Sequence, residues 1–108
     1  MKQHYKNLLF ICRANLQRSP TAEEIFKDKY VTKSAGIDID SKNPIDKEIL
    51  KWADIVFVME DWMRKEIENR FPDQHIKKRI VSLDIPYMYY RMEPELIREL
   101  KQKVNKYL

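Results

Sequence analysis

Apolar residues recur along this chain in two ways, as short unbroken runs and as longer stretches at helical spacing. Leu8-Leu9-Phe10-Ile11-Cys12 is an unbroken run behind a polar start, as expected of a strand buried on both faces. Ser19 and Pro20 then read as a helix start, with Ser19 as N-cap and Pro20 in the first helical position. Ala22, Ile25, Phe26 and Tyr30 follow on one helical face, with Glu23 and Glu24 near the positive end of the helix dipole. Val31 to Ala35 reads as a shorter second strand, closed by Gly36. Beyond the polar loop Asp38 to Asn43, Pro44 opens a segment in which Ile45, Ile49, Leu50 and Ala53 mark an amphipathic helix. Asp54 leads into a third strand, Ile55-Val56-Phe57-Val58-Met59. Glu60 to Phe71 is helical through Met63, Ile67 and Phe71, and Pro72-Asp73 ends it. Arg79 to Leu83 is a fourth strand that opens into the aromatic loop Asp84 to Tyr90. From about Glu93 a last helix carries Leu96, Ile97, Leu100 and Val104 on one face.

Four strands alternating with helices predict right-handed βαβ units, hence an α/β fold. It would be a three-layer sandwich whose central four-stranded parallel sheet carries helices on both faces. With 108 residues, 44% of them hydrophobic, the chain can form one domain with one core, spanning 1–108. Ligands in such sheets bind beyond the carboxyl ends of the strands. That is where the segments after Cys12 and Leu83 emerge, on the same edge.

Composition narrows the chemistry. The net charge of +4 is spread along the chain apart from the run Lys77-Lys78-Arg79, as on an ordinary solvated surface that also tolerates anions. No nucleic-acid motif accompanies it. The single cysteine excludes an intramolecular disulfide and a cysteine-rich zinc site. His4 and His75 lack metal-ligand spacing, so no metal and no cofactor is expected. The N-terminal stretch fits neither a signal peptide nor a membrane span, and no membrane partner is expected. A cytoplasmic location with a reduced thiol follows as an expectation.

The segment Cys12-Arg13-Ala14-Asn15-Leu16-Gln17-Arg18-Ser19 sits between a buried strand and a helix start. Successive main-chain N–H groups curling into a helix N-terminus form a nest for a tetrahedral oxyanion. A cysteine at its base feels the same positive potential, which favours an anionic sulfur able to attack phosphorus. Arg18 would close the ring and hold two equatorial oxygens with its planar fork, a contact lysine cannot make. The Ser19 hydroxyl could meet the sulfur as it leaves in a second step.

These residues resemble the signature of the low-molecular-weight protein tyrosine phosphatases. The match runs on through Ser34-Ala35-Gly36, Ala53 to Glu60, and an Asp/Pro/Tyr loop. The chain is most similar to a short branch of about a hundred residues. The resemblance implies a fold of that type, with Cys12 as nucleophile, Arg18 as phosphate clamp, Asn15 as loop-shaping hydrogen bonder and Ser19 as thiolate stabiliser. Arg13, Ala14, Asn15, Leu16, Gln17 and Arg18 would bind the phosphate. Two positions depart from the family: Ala14 stands where glycine is typical, and Gln17 where a second cysteine is common. Oxidised Cys12 would therefore have no resolving partner in the chain.

An aryl leaving group calls for a proton donor. The family uses an aspartate in an Asp-Pro loop, and Asp84 is the nearest match although Ile85 separates it from Pro86. Otherwise Asp84 is a cap or turn residue; Glu93 and Asp61 are rival acids. Tyr87, Tyr89 and Tyr90 either line the substrate pocket or pack on the core and surface, and Arg13 either attracts an acidic peptide or snorkels. Trp52 and Trp62 read as packing residues, and Met59, Met63, Met88 and Met92 as gap-fillers. The resulting expectation is a metal-free phosphomonoester hydrolase working through a phosphocysteine, acting on a phosphorylated protein or a small phosphoester. Its rivals are arsenate reduction with an external thiol and a catalytically weak phosphate-binding module. Oligomeric state is unreadable.

Overall fold

A computed structural model describes residues 5–77 and 79–108; His4 and Lys78 lie outside the described residues. The chain forms β1 (Asn7–Cys12), α1 (Arg18–Phe26), β2 (Val31–Gly36), α2 (Lys47–Trp52), β3 (Ile55–Val58), α3 (Asp61–Arg70), α4 (Gln74–Lys77), β4 (Ile80–Ser82) and α5 (Pro94–Val104). All pairing is parallel, in the order β2-β1-β3-β4.

The two unbroken apolar runs become the two central strands, and every residue from Leu8 to Cys12 and from Ile55 to Val58 is buried. β2 is buried only at its carboxyl end, and of β4 only Ile80 is buried, as befits sheet edges. Phe10 stacks on Phe57 across the β1–β3 ladder and on Phe26 of α1, and Tyr107 meets Phe57 edge-on. α1 and α5 pack together over this aromatic layer. α2 packs on β1, and α3 on β3 and β4, and the expected α/β arrangement around a central parallel sheet is present.

Local chemistry explains the boundaries. The Asp46 carboxylate accepts from Ile49 N–H and caps α2. α1 begins two residues before the expected position, with Gln17 as N-cap, and Pro20 falls third in the helix rather than first. Ser19 is thus not a cap, and its hydroxyl is free for another partner. The short α4 went unread because Gln74–Lys77 is too brief to show a period.

Asp54 ties the starts of the central strands together. Its carboxylate accepts from the N–H groups of Asn7 (2.8 Å) and Lys6 (2.9 Å), while its own N–H donates to the Asn7 carbonyl. Asn7 also donates from Nδ2 to the Trp52 carbonyl.

Donation from Asn7, and secondarily from Lys6, holds the Asp54 carboxyl below its ordinary range. A depressed folded-state value gives stability that is present above the unfolded value and lost as pH falls through the folded one. Asp54→Ala should therefore cost about 1 kcal/mol at pH 7, discounted for partial exposure. The gap between variant and wild type should close on acidification below about pH 4. Urea midpoints across pH would check both statements, and a pH-independent gap would contradict the second.

Candidate active site

Pairing of Cys12 with Gly36 ends the β1–β2 ladder, and the next residues curl into α1. The carbonyls of Cys12, Arg13 and Ala14 are bound from outside by the N–H groups of Ile37, Asp38 and Lys42. This turns the acceptor side of the loop outward. Among the described residues, no main-chain N–H from Ala14 to Arg18 is donated to a protein acceptor. Main-chain donors gathered in this way can receive an anion.

The loop's left-handed residue is Asn15, at φ 59°, a conformation asparagine tolerates well. Ala14 is not in that region, so the family glycine is not needed there for its conformational freedom.

Asn15 is 1% exposed and lies in a chain of side-chain hydrogen bonds. Asn43 Nδ2 donates to Asn15 Oδ1 at 2.9 Å, and Asn15 Nδ2 donates to Ser19 Oγ at 2.9 Å. Ser19 Oγ lies 2.9 Å from Cys12 Sγ. Since the Ser19 oxygen accepts from Asn15, its own proton is available to the sulfur, the alternative acceptor being the Ala35 carbonyl at 3.4 Å. Asn43 was passed over in the sequence as part of a polar loop, because only the fold brings it to Asn15.

Arg18 is 4% exposed. Its Nη1 donates both to Glu60 Oε2 (2.6 Å) and to the Ile85 carbonyl (2.7 Å). These bonds fix the guanidinium and leave the Nε–Nη2 edge, the fork that meets two oxygens. Glu60 follows β3, the neighbour of β1, and so emerges on the same sheet edge. That topological reasoning could have found it. Trp62 Nε1 donates to Glu60 Oε1 at 3.1 Å.

A cleft of about 440 Å³ opens over Cys12, lined by the loop residues Arg13, Ala14, Leu16, Gln17 and Arg18 and by Glu60, Trp62 and Tyr87. Trp62, expected as packing, is instead 41% exposed on this wall. Tyr87 lies in the cleft as expected, whereas Tyr89 does not, because it packs against the core. Tyr90, Met88 and Met92 are exposed, so those two methionines fill no internal gap, unlike Met59 and Met63.

Asp84 is not brought to this cleft. It turns at φ 56°, its carbonyl accepts from Lys103 Nζ, and it lines a separate depression with Lys103 and Lys106. The next residue, Ile85, is buried and bonded through its N–H to the Met59 carbonyl, which fixes the direction in which Asp84 can point. The aromatic segment beyond is anchored again where Arg91 N–H donates to Gln17 Oε1 and Met92 N–H to Thr21 Oγ1.

A parallel four-stranded sheet with a Cys-x5-Arg-Ser loop between its first strand and first helix defines the low-molecular-weight protein tyrosine phosphatase fold. No protein-family model matches the chain. In sequence it is 33% identical to the low molecular weight protein-tyrosine-phosphatase Ptp of Acinetobacter johnsonii, the match spanning 63% of this chain and 66% of that protein. In structure it is similar to the tyrosine phosphatase Wzb of Escherichia coli K30, with a TM-score of 0.74 and 20% identity over 95% of this chain and 96% of that one. The YwlE arginine phosphatase of Geobacillus stearothermophilus matches with a TM-score of 0.71 and 22% identity, over 94% and 92% of the two chains. In fold the chain is thus similar to the low-molecular-weight protein tyrosine phosphatases, and in sequence to one of them over just under two thirds of that protein's length.

Gly36 makes the loop's outer contacts possible. A β-carbon there would lie 2.5 Å from Ser41 Cβ and 2.9 Å from the Arg13 carbonyl oxygen. Gly36→Ala should therefore destabilise the fold by about 1–3 kcal/mol and weaken binding of inorganic phosphate. Denaturant titration and calorimetry measure the two effects, and unchanged values would mean that the Ser41 segment yields freely.

Proposed function

We propose that this chain is a phosphomonoester hydrolase of the protein-tyrosine-phosphatase type, acting on aryl phosphates through a phosphocysteine on Cys12. The observation that carries the reading is the Cys12 sulfur, 2.9 Å from the Ser19 hydroxyl at the floor of a loop whose N–H groups are free. The name of the curated relative and the aromatic wall of Trp62 and Tyr87 support a phosphorylated aromatic ring as substrate.

In the first half of the reaction Cys12 Sγ attacks phosphorus in line with the ester oxygen. The loop N–H groups and the free edge of Arg18 hold the three equatorial oxygens as charge redistributes. Water then attacks the phosphocysteine, and the departing sulfur is met by the Ser19 hydroxyl. Asn15 and Asn43 keep that hydroxyl turned toward the sulfur. No redox step enters this route, which sets it apart from arsenate reduction. A single cysteine without a resolving partner suits a reducing compartment such as the cytoplasm. The partner is a phosphorylated protein or a small phosphoester.

Turnover of an aryl phosphate without added metal tests the reading. Cys12→Ser should abolish it, Arg18→Lys should lower kcat/KM by roughly 10²–10³-fold, and orthovanadate should inhibit the wild type. Equal turnover by wild type and Cys12→Ser would sink the mechanism.

A further inference from the structure

We infer that Gln17 is a positioning residue for substrate choice, holding the segment from Ile85 to Met92 against the Cys12–Ser19 loop and so setting where Tyr87 stands beside the cleft. This assignment rests on the aryl-phosphate reading of the site. It gives that reading a route by which the loop that takes the phosphate also shapes the wall for the ring.

Between the end of β4 at Ser82 and the start of α5 at Pro94 the chain forms neither helix nor strand. The N–H groups of Tyr87, Met88 and Tyr89 are donated to no main-chain acceptor among the described residues. The place of this stretch is therefore set by its two ends and by Tyr89, which packs partly buried against the core. At the near end the Ile85 N–H donates to the Met59 carbonyl, and the Ile85 carbonyl accepts from Arg18 Nη1. At the far end the Arg91 N–H donates to Gln17 Oε1 at 2.5 Å and the Met92 N–H to Thr21 Oγ1 at 2.8 Å. Gln17 and Arg18 are neighbours in the loop, so two consecutive residues hold the two ends of the segment.

The far anchor is itself fixed. Thr21 is fully buried, and its hydroxyl donates to the Gln17 carbonyl at 2.7 Å while accepting from Met92. The two acceptors thus lie one helical turn apart, tied to each other, and take two successive N–H groups. Met92 turns at φ 61°, a left-handed conformation that costs free energy and persists where the surroundings dictate it. Tyr87 gains little from packing, being 80% exposed, yet it lines the same cleft as Gln17. A cysteine at position 17 would offer Arg91 only a weak acceptor on a shorter side chain.

Calorimetry with phenylphosphonate and methylphosphonate tests the assignment without requiring turnover. The wild type should bind phenylphosphonate more tightly, by roughly fivefold to tenfold, as one aromatic contact supplies. Gln17→Met keeps the length of the side chain and removes the oxygen. It should narrow the ratio about threefold or more, weakening phenylphosphonate more than methylphosphonate. Tyr87→Ala should narrow it as well, and the double variant no further than Tyr87→Ala, because both changes act on one contact. Thr21→Val should behave as Gln17→Met does, whereas Thr21→Ser, which keeps an acceptor for Met92, should retain the wild-type ratio. Amide exchange at Arg91 and Met92 should quicken in Gln17→Met and Thr21→Val.

Equal weakening of both phosphonates by Gln17→Met would mean that the side chain serves the phosphate, and would overturn the assignment. Additive effects of Gln17→Met and Tyr87→Ala would overturn it too, as would unchanged amide exchange or a wild type without preference for the phenyl ligand. Turnover of an aryl phosphate separately reads the phosphatase function. A wild type that binds as expected but is inert would remove hydrolysis and leave the role of Gln17 in recognition standing.

Discussion

The placement of β1 between β2 and β3 is the constraint on which everything else depends. A strand paired on both sides and covered on both faces has no freedom left, so the position of Cys12 at its end is fixed by hydrogen bonds along its whole length. Its neighbours then decide what meets the sulfur. β2 delivers Gly36 and the segment that binds the loop carbonyls, while β3 delivers Glu60 to the guanidinium. Because all strands run parallel, these contributions converge on one edge without any long-range loop having to find it.

The site's polar groups are apportioned with little overlap. Loop carbonyls look outward and are bound by protein; loop N–H groups look inward and are not. One nitrogen of Arg18 holds the scaffold while the other edge remains for the ligand. Ser19 accepts on one side and can donate on the other. Buried groups in such an arrangement gain from low local dielectric only while each has its partner. On the proposed function, a bound anion would satisfy the loop N–H groups.

The layered fold was legible because it rests on period and run length, which survive in a single sequence. The unbroken runs at Leu8 and Ile55 identified the central strands, and the loop from Cys12 to Ser19 followed from strand and helix context. What failed to show was everything set by tertiary direction. Asp84 and Tyr89 occupy plausible positions in the sequence, yet the burial of Ile85 and the packing of Tyr89 turn both away. Asn43 stands 28 residues along the chain from Asn15, and Glu60 stands 42 from Arg18, so only folding makes them partners. Trp62 arrives with Glu60, to which it is bonded.

The aromatic segment from Tyr87 to Tyr90 is pinned at both ends, by buried Ile85 on one side and by Gln17 and Thr21 on the other. Between those anchors Tyr89 packs against the core, while Tyr87, Met88 and Tyr90 stand 80%, 66% and 74% exposed. Substitutions at exposed positions of this kind cost little stability. The floor of the cleft and the strip beside it are therefore free to change at different rates. If the loop reads a phosphate as proposed, a lineage could replace these exposed residues and acquire a new preference for what that phosphate is attached to, while the loop stayed as it is.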